Sequence, residues 1–114
     1  MTLVLAYQSL GTTRDITVQD SDGDTIKPLA GDAIRARIGR EGEIDQLTVT
    51  EVATANGSVF TKDTVDGVNR LRLDAQDLVD IEPGTYTLYI EMQFSADADD
   101  WKNVDRQVFQ LEGT

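Results

Sequence analysis

The sequence predicts an all-β protein, a two-sheet antiparallel sandwich with about seven to nine strands and one short helical turn. Three observations carry that prediction. Apolar residues recur with period two in short runs, the spacing that puts alternate side chains on opposite faces of a strand. The runs are separated by Asp22-Gly23, Asn56-Gly57, Asp66-Gly67 and Pro83-Gly84, dipeptides that accept positive φ or fix a bend. The chain has 114 residues, 39% of them apolar before its 9 glycines are added, which suits one folded core and leaves no room for a second.

Taken in order, the first strand is expected at Thr2 to Gln8 and the second at Arg14 to Gln19, where aliphatic and β-branched residues alternate with polar ones. A weaker run lies at Asp24 to Pro28. Ala33 to Arg40 alternates cleanly, with Ile34, Ala36 and Ile38 inward and Arg35 and Arg37 outward. Gln46 to Ala53 and Ser58 to Lys62 read as further strands. Asn69 to Leu73 sets Leu71 and Leu73 against Arg70 and Arg72. A helical turn is expected at Asp74 to Ile81, because Asp74 caps free amides, Leu78 and Ile81 share a face, and Pro83-Gly84 stops the turn. It would bridge the two sheets. Thr85 to Ser95 is the strongest strand: Tyr86, Leu88, Ile90, Met92 and Phe94 fall on one face, and only Tyr89 interrupts the polar side. Val104 to Glu112 closes the chain, changing phase near Arg106 to Val108 as a bulge would. There is no internal repeat, low-complexity tract or linker, so residues 1–114 read as a single domain.

Composition narrows the function. The chain has no Cys and no His, so disulfides, thiolate metal sites, a cysteine nucleophile, an imidazole base and imidazole metal ligands are excluded. No serine sits in a nucleophile-elbow pattern and no glycine cluster forms a phosphate loop. Paired carboxylates for glycoside hydrolysis lack an aromatic sugar platform and a cleft. The expected protein is not an enzyme. Ten Lys and Arg against 21 Asp and Glu give a net charge of −11, which repels nucleic-acid backbones and anionic lipid. Asp far outnumbers Glu, and that balance suits a saline setting. Leu3 to Ala6 is too short for a signal core or a membrane span, so synthesis in the cytoplasm without export by that route is expected.

Three groups of residues are candidate sites. Asp20, Asp22 and Asp24 put three carboxylates within five residues, the hard oxygen donors that Ca²⁺ uses. An EF-hand counted from Asp20 would want Gly and Glu where Thr25 and Gly31 stand, so a solvated hairpin tip is the alternative. Asp97, Asp99 and Asp100 join that cluster only if the loops share one end of the sandwich. Arg35, Arg37, Arg70 and Arg72 read either as a positive stripe that meets the acidic face of a neighbouring subunit, or as partners of carboxylates in the same chain. Trp101 reads as an interface anchor or as a ring buried at a strand start. At the corner Pro83, Gly84 and Tyr86, the tyrosine packs its ring while its hydroxyl reaches back to the upstream loop.

The run Leu78-Val79-Asp80-Ile81-Glu82-Pro83-Gly84-Thr85-Tyr86-Thr87-Leu88-Tyr89-Ile90 resembles the penultimate corner and strand of immunoglobulin-like modules. With Asp15-Ile16-Thr17-Val18, Leu29-Ala30-Gly31, the Ile34-to-Ile38 strand and Phe109-Gln110-Leu111, it resembles immunoglobulin-like domains of tailed-virus structural proteins. These include the N-terminal domain of phage baseplate upper proteins. The resemblance covers about residue 14 to 112 and implies an immunoglobulin-like sandwich in a non-enzymatic virion component: a capsid decoration, turret, or tail- or neck-associated subunit. It implies no cofactor, location in the virion, and partners among capsid or tail subunits with homo-oligomeric assembly. Baseplate upper proteins continue into a long C-terminal assembly region that this chain lacks, so a capsid or neck accessory fits better. The other reading is a module that binds surface glycans, with Ca²⁺ at the acidic loops. Leu3-Val4-Leu5 is a candidate for pairing with a neighbour's sheet edge, or within its own sandwich.

Overall fold

The computed structural model describes residues 3–95 and 100–113. Its elements run β1 (Leu3–Tyr7), β2 (Thr12–Ile16), β3 (Ala33–Gly39), β4 (Leu47–Val49), β5 (Val59–Thr61), β6 (Asn69–Leu73), α1 (Ala75–Leu78), β7 (Gly84–Gln93) and β8 (Lys102–Glu112). Five strands form one sheet in the order β1-β8-β7-β3-β4, and three form the other in the order β2-β6-β5. Every neighbouring pair is antiparallel except β1 and β8, which run parallel. This is the expected all-β sandwich: a three-stranded sheet packs on a five-stranded one, and the first strand lies beside the last.

Period-two patterning explains the layers. On β6, Asn69, Leu71 and Leu73 are buried while Arg70 and Arg72 are exposed. On β7, Tyr86, Leu88, Ile90 and Met92 turn inward. Those side chains meet Ile34, Ala36 and Ile38 of β3, Phe109 and Leu111 of β8, and Ile16, Phe60, Leu71 and Leu73 of the opposing sheet in one continuous core. Each large aliphatic side chain so buried contributes about 1.5–3 kcal/mol.

The chain crosses between sheets at α1. Asp74 accepts the Gln76 amide at 2.9 Å as N-cap, and Leu78 and Ile81 are buried. Tyr86 then enters the core, and its hydroxyl donates to the Glu82 carbonyl four residues upstream. The crossing from β1 to β2 depends on Gly11, whose φ is +67° and whose Cβ, if present, would lie 2.4 Å from the Leu73 carbonyl oxygen.

The structure corrects several expected elements. Asp24 to Pro28 forms no strand; Gln19 and Thr25 make a single bridge there. The strand expected over Gln46 to Ala53 ends at Val49, because Thr50 turns the chain, its hydroxyl accepting the Val52 amide at 3.2 Å and its carbonyl accepting Phe60 N–H from the other sheet at 2.9 Å. The bulge lies earlier than Arg106: Ile90 pairs with Asp105 but Glu91 with Asn103, leaving Val104 as the extra residue.

Candidate functional site: the outer face of the five-stranded sheet

Alternation on β3 sends Arg35 and Arg37 to the outer face, where register sets them opposite Glu91 and Tyr89 of β7, and Tyr89 opposite Arg106 of β8. Arg35 Nε donates to Glu91 Oε1 at 2.7 Å. Arg37 Nε and Nη2 reach the two oxygens of the same carboxylate at 3.0 Å each, and Arg37 Nη1 holds both oxygens of Asp45 at 3.0 and 2.9 Å. Two guanidinium groups thus cover Glu91, whose side chain is only 9% exposed. Burial opposes its charge, but the hydrogen bonds from Arg37 and Arg35 outweigh it and hold the carboxyl below the usual range. Arg37 is held more firmly protonated, first by Glu91 and then by Asp45.

Aromatic rings extend the cluster. The Arg35 guanidinium lies 4.0 Å from the centre of the Trp101 ring, and Arg37 and Arg106 approach the Tyr89 ring at 4.8 and 5.6 Å. Such contacts fix the arginines over the sheet without consuming all their donors. Across the same face, edge strand β1 presents Leu3, Leu5 and Tyr7 at 54%, 41% and 40% exposure, beside the half-buried Val108. An arginine–aromatic half and an apolar half therefore adjoin on one sheet face of a protein with net charge −11.

The four arginines do not make one stripe. Arg70 and Arg72 project from β6 in the three-stranded sheet, so they face the opposite side of the sandwich from Arg35 and Arg37. Arg70 meets Asp15 at 3.3 Å; Arg72 donates to the Gly57 carbonyl at 2.7 Å and to Asp74 at 3.4 Å. Trp101 is half-buried just before β8, beneath Arg35. Pro83 and Gly84 lie at the α1–β7 corner, with Tyr86 in the core.

The Asp20 loop is a hairpin tip and does not gather its carboxylates. Asp20 Oδ1 accepts the amides of Asp22 and Asp24 at 2.9 and 3.0 Å, and the Asp20 amide donates to the Asp24 carbonyl at 2.9 Å. Among the described residues no group of three Asp or Glu side chains is placed to hold a metal ion. Asp97 and Asp99 lie outside the described residues, and Asp100 is exposed.

Sequence reasoning missed two carboxylates that organise the loops. Asp77 of α1 accepts from Thr54 Oγ1 at 2.6 Å, from Asn56 Nδ2 at 2.9 Å and from Ser58 Oγ, tying the helix to the β4–β5 loop. Burial raises its pKa, but those donors win and lower it. Asp32 is buried before β3 and accepts the Leu29 and Ser95 amides at 2.8 Å each; here too burial is outweighed by the amides and the carboxyl stays below its usual range. A polar cleft of about 510 Å³ opens between the sheets where β1 does not reach, lined by Arg14, Asp15, Thr17, Val104, Asp105 and Gln107 among others. No protein-family model matches the chain, and comparison with curated proteins finds no relative.

Proposed function

We propose that this chain is a non-enzymatic structural subunit of a tailed-virus particle, a capsid decoration or a tail- or neck-associated protein. It acts through protein–protein contact at the outer face of its five-stranded sheet. One observation carries the contact surface: that face joins Arg35, Arg37, Arg106, Tyr89 and Trp101 to the exposed Leu3, Leu5 and Tyr7. Arginine and aromatic residues on a rigid sheet are the usual anchors of a protein interface. The viral setting rests on the resemblance of the Pro83-Gly84-Thr85-Tyr86 corner and its flanking strands. The partner is another structural protein of the particle, offering carboxylates to Arg35 and Arg106 and apolar surface to Leu3 and Val108. Arg106→Glu tests the face without touching the core, because the Arg106 side chain is exposed and, among the described residues, its recorded contact is with the Tyr89 ring. In cells making both versions, the variant is expected to lose the competition for incorporation into particles. Equal incorporation would count against the face.

A further inference from the structure

We infer that Asn56-Gly57 is a deamidation site held in check by the Asp77 carboxylate, and that its reaction unties the β4–β5 loop from α1. Asparagine is a chemically labile residue, most of all before glycine, which carries no side chain to screen its own amide nitrogen. The chain has three asparagines, and only Asn56 precedes a glycine; Asn69 precedes Arg70 and Asn103 precedes the β-branched Val104. Asn69 is buried, its Nδ2 donating to the Ile16 carbonyl at 3.1 Å, whereas Asn56 is exposed to water. The turn also requires its glycine: Gly57 has φ +100°, a conformation that residues with a Cβ disfavour. The geometry of the loop thus imposes the labile pair.

The reaction needs only water. The Gly57 amide nitrogen gives its proton to hydroxide and attacks Asn56 Cγ. A bond forms between that nitrogen and Cγ, closing a cyclic imide, while the Cγ–Nδ2 bond breaks and Nδ2 leaves as ammonia after taking a proton from water. A second water then adds to either imide carbonyl and opens the ring, leaving aspartate or isoaspartate at position 56. Two hydrogen bonds stand in the way. The Gly57 N–H donates to the Thr54 carbonyl at 2.9 Å, so its proton is already engaged. Asn56 Nδ2 donates to Asp77 Oδ1 at 2.9 Å, which ties the side chain to α1 and sets a negative charge beside a step that itself builds negative charge. Both bonds must open locally before nitrogen meets carbon.

The product reverses the contact that restrained it. Where an amide donated to Asp77, a second carboxylate now faces the first, and like charges at hydrogen-bond distance repel. Isoaspartate goes further, because it lengthens the backbone inside a turn closed by the Gly57 amide on Thr54 and the Thr54 amide on the Ser58 carbonyl, each at 2.9 Å. Deamidation therefore releases the loop from α1, and water does not re-form the amide. This site lies away from the outer sheet face proposed above as the contact surface, so either stands without the other.

The test is peptide mapping by mass spectrometry after incubating the full chain in mildly alkaline buffer. In guanidinium chloride the unfolded chain is expected to convert at Asn56 well before Asn69 or Asn103, and the folded chain to convert at Asn56 far more slowly. Asp77→Ala is expected to speed conversion in the folded chain roughly ten-fold or more, the rate equivalent of one hydrogen bond to a charged group. Ser58→Ala separates that effect from general loosening, because Ser58 bonds Asp77 Oδ2 and leaves the Oδ1 bond of Asn56 in place; it is expected to speed conversion much less. Asn56→Asp is expected to melt several degrees below Asn56→Ala, since both lose the donor and only the first adds a charge. Equal rates for folded and unfolded chain, equal acceleration by Asp77→Ala and Ser58→Ala, or equal melting of the two Asn56 variants would overturn the inference.

Discussion

Arg37 and Glu91 form a two-bonded pair on the outside of the sheet, guanidinium Nε and Nη2 each 3.0 Å from a carboxylate oxygen. The pair is more than a surface ion pair because Arg35 closes over the same carboxylate and leaves it 9% exposed. Exposed pairs contribute little, but a covered carboxylate with several charged donors is costly to lose. Glu91→Ala is expected to lower unfolding free energy by about 2–3 kcal/mol, read from urea denaturation. A loss within ~0.5 kcal/mol would place the pair with ordinary surface charges.

Stability is expected to fall in acid for a reason that names its residues. Asp32, Asp77 and Glu91 all have folded-state pKa values below their ordinary ones. A depressed carboxyl pKa stabilises the fold fully above the unfolded value, about 4, and that stabilisation disappears as pH falls through the folded value. The melting temperature should therefore hold from neutral pH to about 5 and drop below about 4. Asp77→Asn should flatten that drop; an unchanged slope would remove Asp77 from the account.

The Asp77 node should also behave as a unit. Thr54, Asn56 and Ser58 all donate to it, and Ser58 Oγ in turn accepts the Asp74 amide at 2.8 Å. Asp77→Ala and Ser58→Ala should each cost about 1–3 kcal/mol. Their double variant should cost less than the sum, and strict additivity would argue against a shared network.

Tyr86→Phe isolates the corner hydroxyl, since the ring stays in the core. Leaving the Glu82 carbonyl without its donor should cost about 1 kcal/mol, with no change in circular dichroism at neutral pH. No measurable cost would mean that water replaces the hydroxyl.

Ca²⁺ should not raise the melting temperature at millimolar concentration, because Asp20 is occupied with the amides of its own turn. Asp20→Ala should lower stability equally with and without the ion. A Ca²⁺-dependent shift lost in that variant would contradict this expectation and support cation binding, and with it the glycan-binding reading.

Most of the fold was legible because strands buried on one face declare themselves by alternation. β6 coincides with the expected Asn69 to Leu73, and β3 and β7 differ from expectation only at their ends. The short strands were less legible, since three residues of β4 give too little alternation to separate strand from turn. Which arginines share a face depends on sheet membership, a long-range property that local spacing does not encode. Arg35 and Arg70 look alike in sequence and lie on opposite sides of the molecule. Glu91 and Tyr89 were visible as members of the polar side of β7, but their grouping with Arg37 needed the register of β3. Asp77 and Asp32 gave no signal beyond ordinary loop carboxylates, because their partners are up to 63 residues away.

The most direct test of the account is the protein composition of density-purified particles from cells that produce this chain. A structural subunit is expected to band with the particle in a fixed copy number set by its symmetry and to remain through repeated gradients. A chain found only in the soluble fraction, or present in variable trace amounts, would contradict the proposed function.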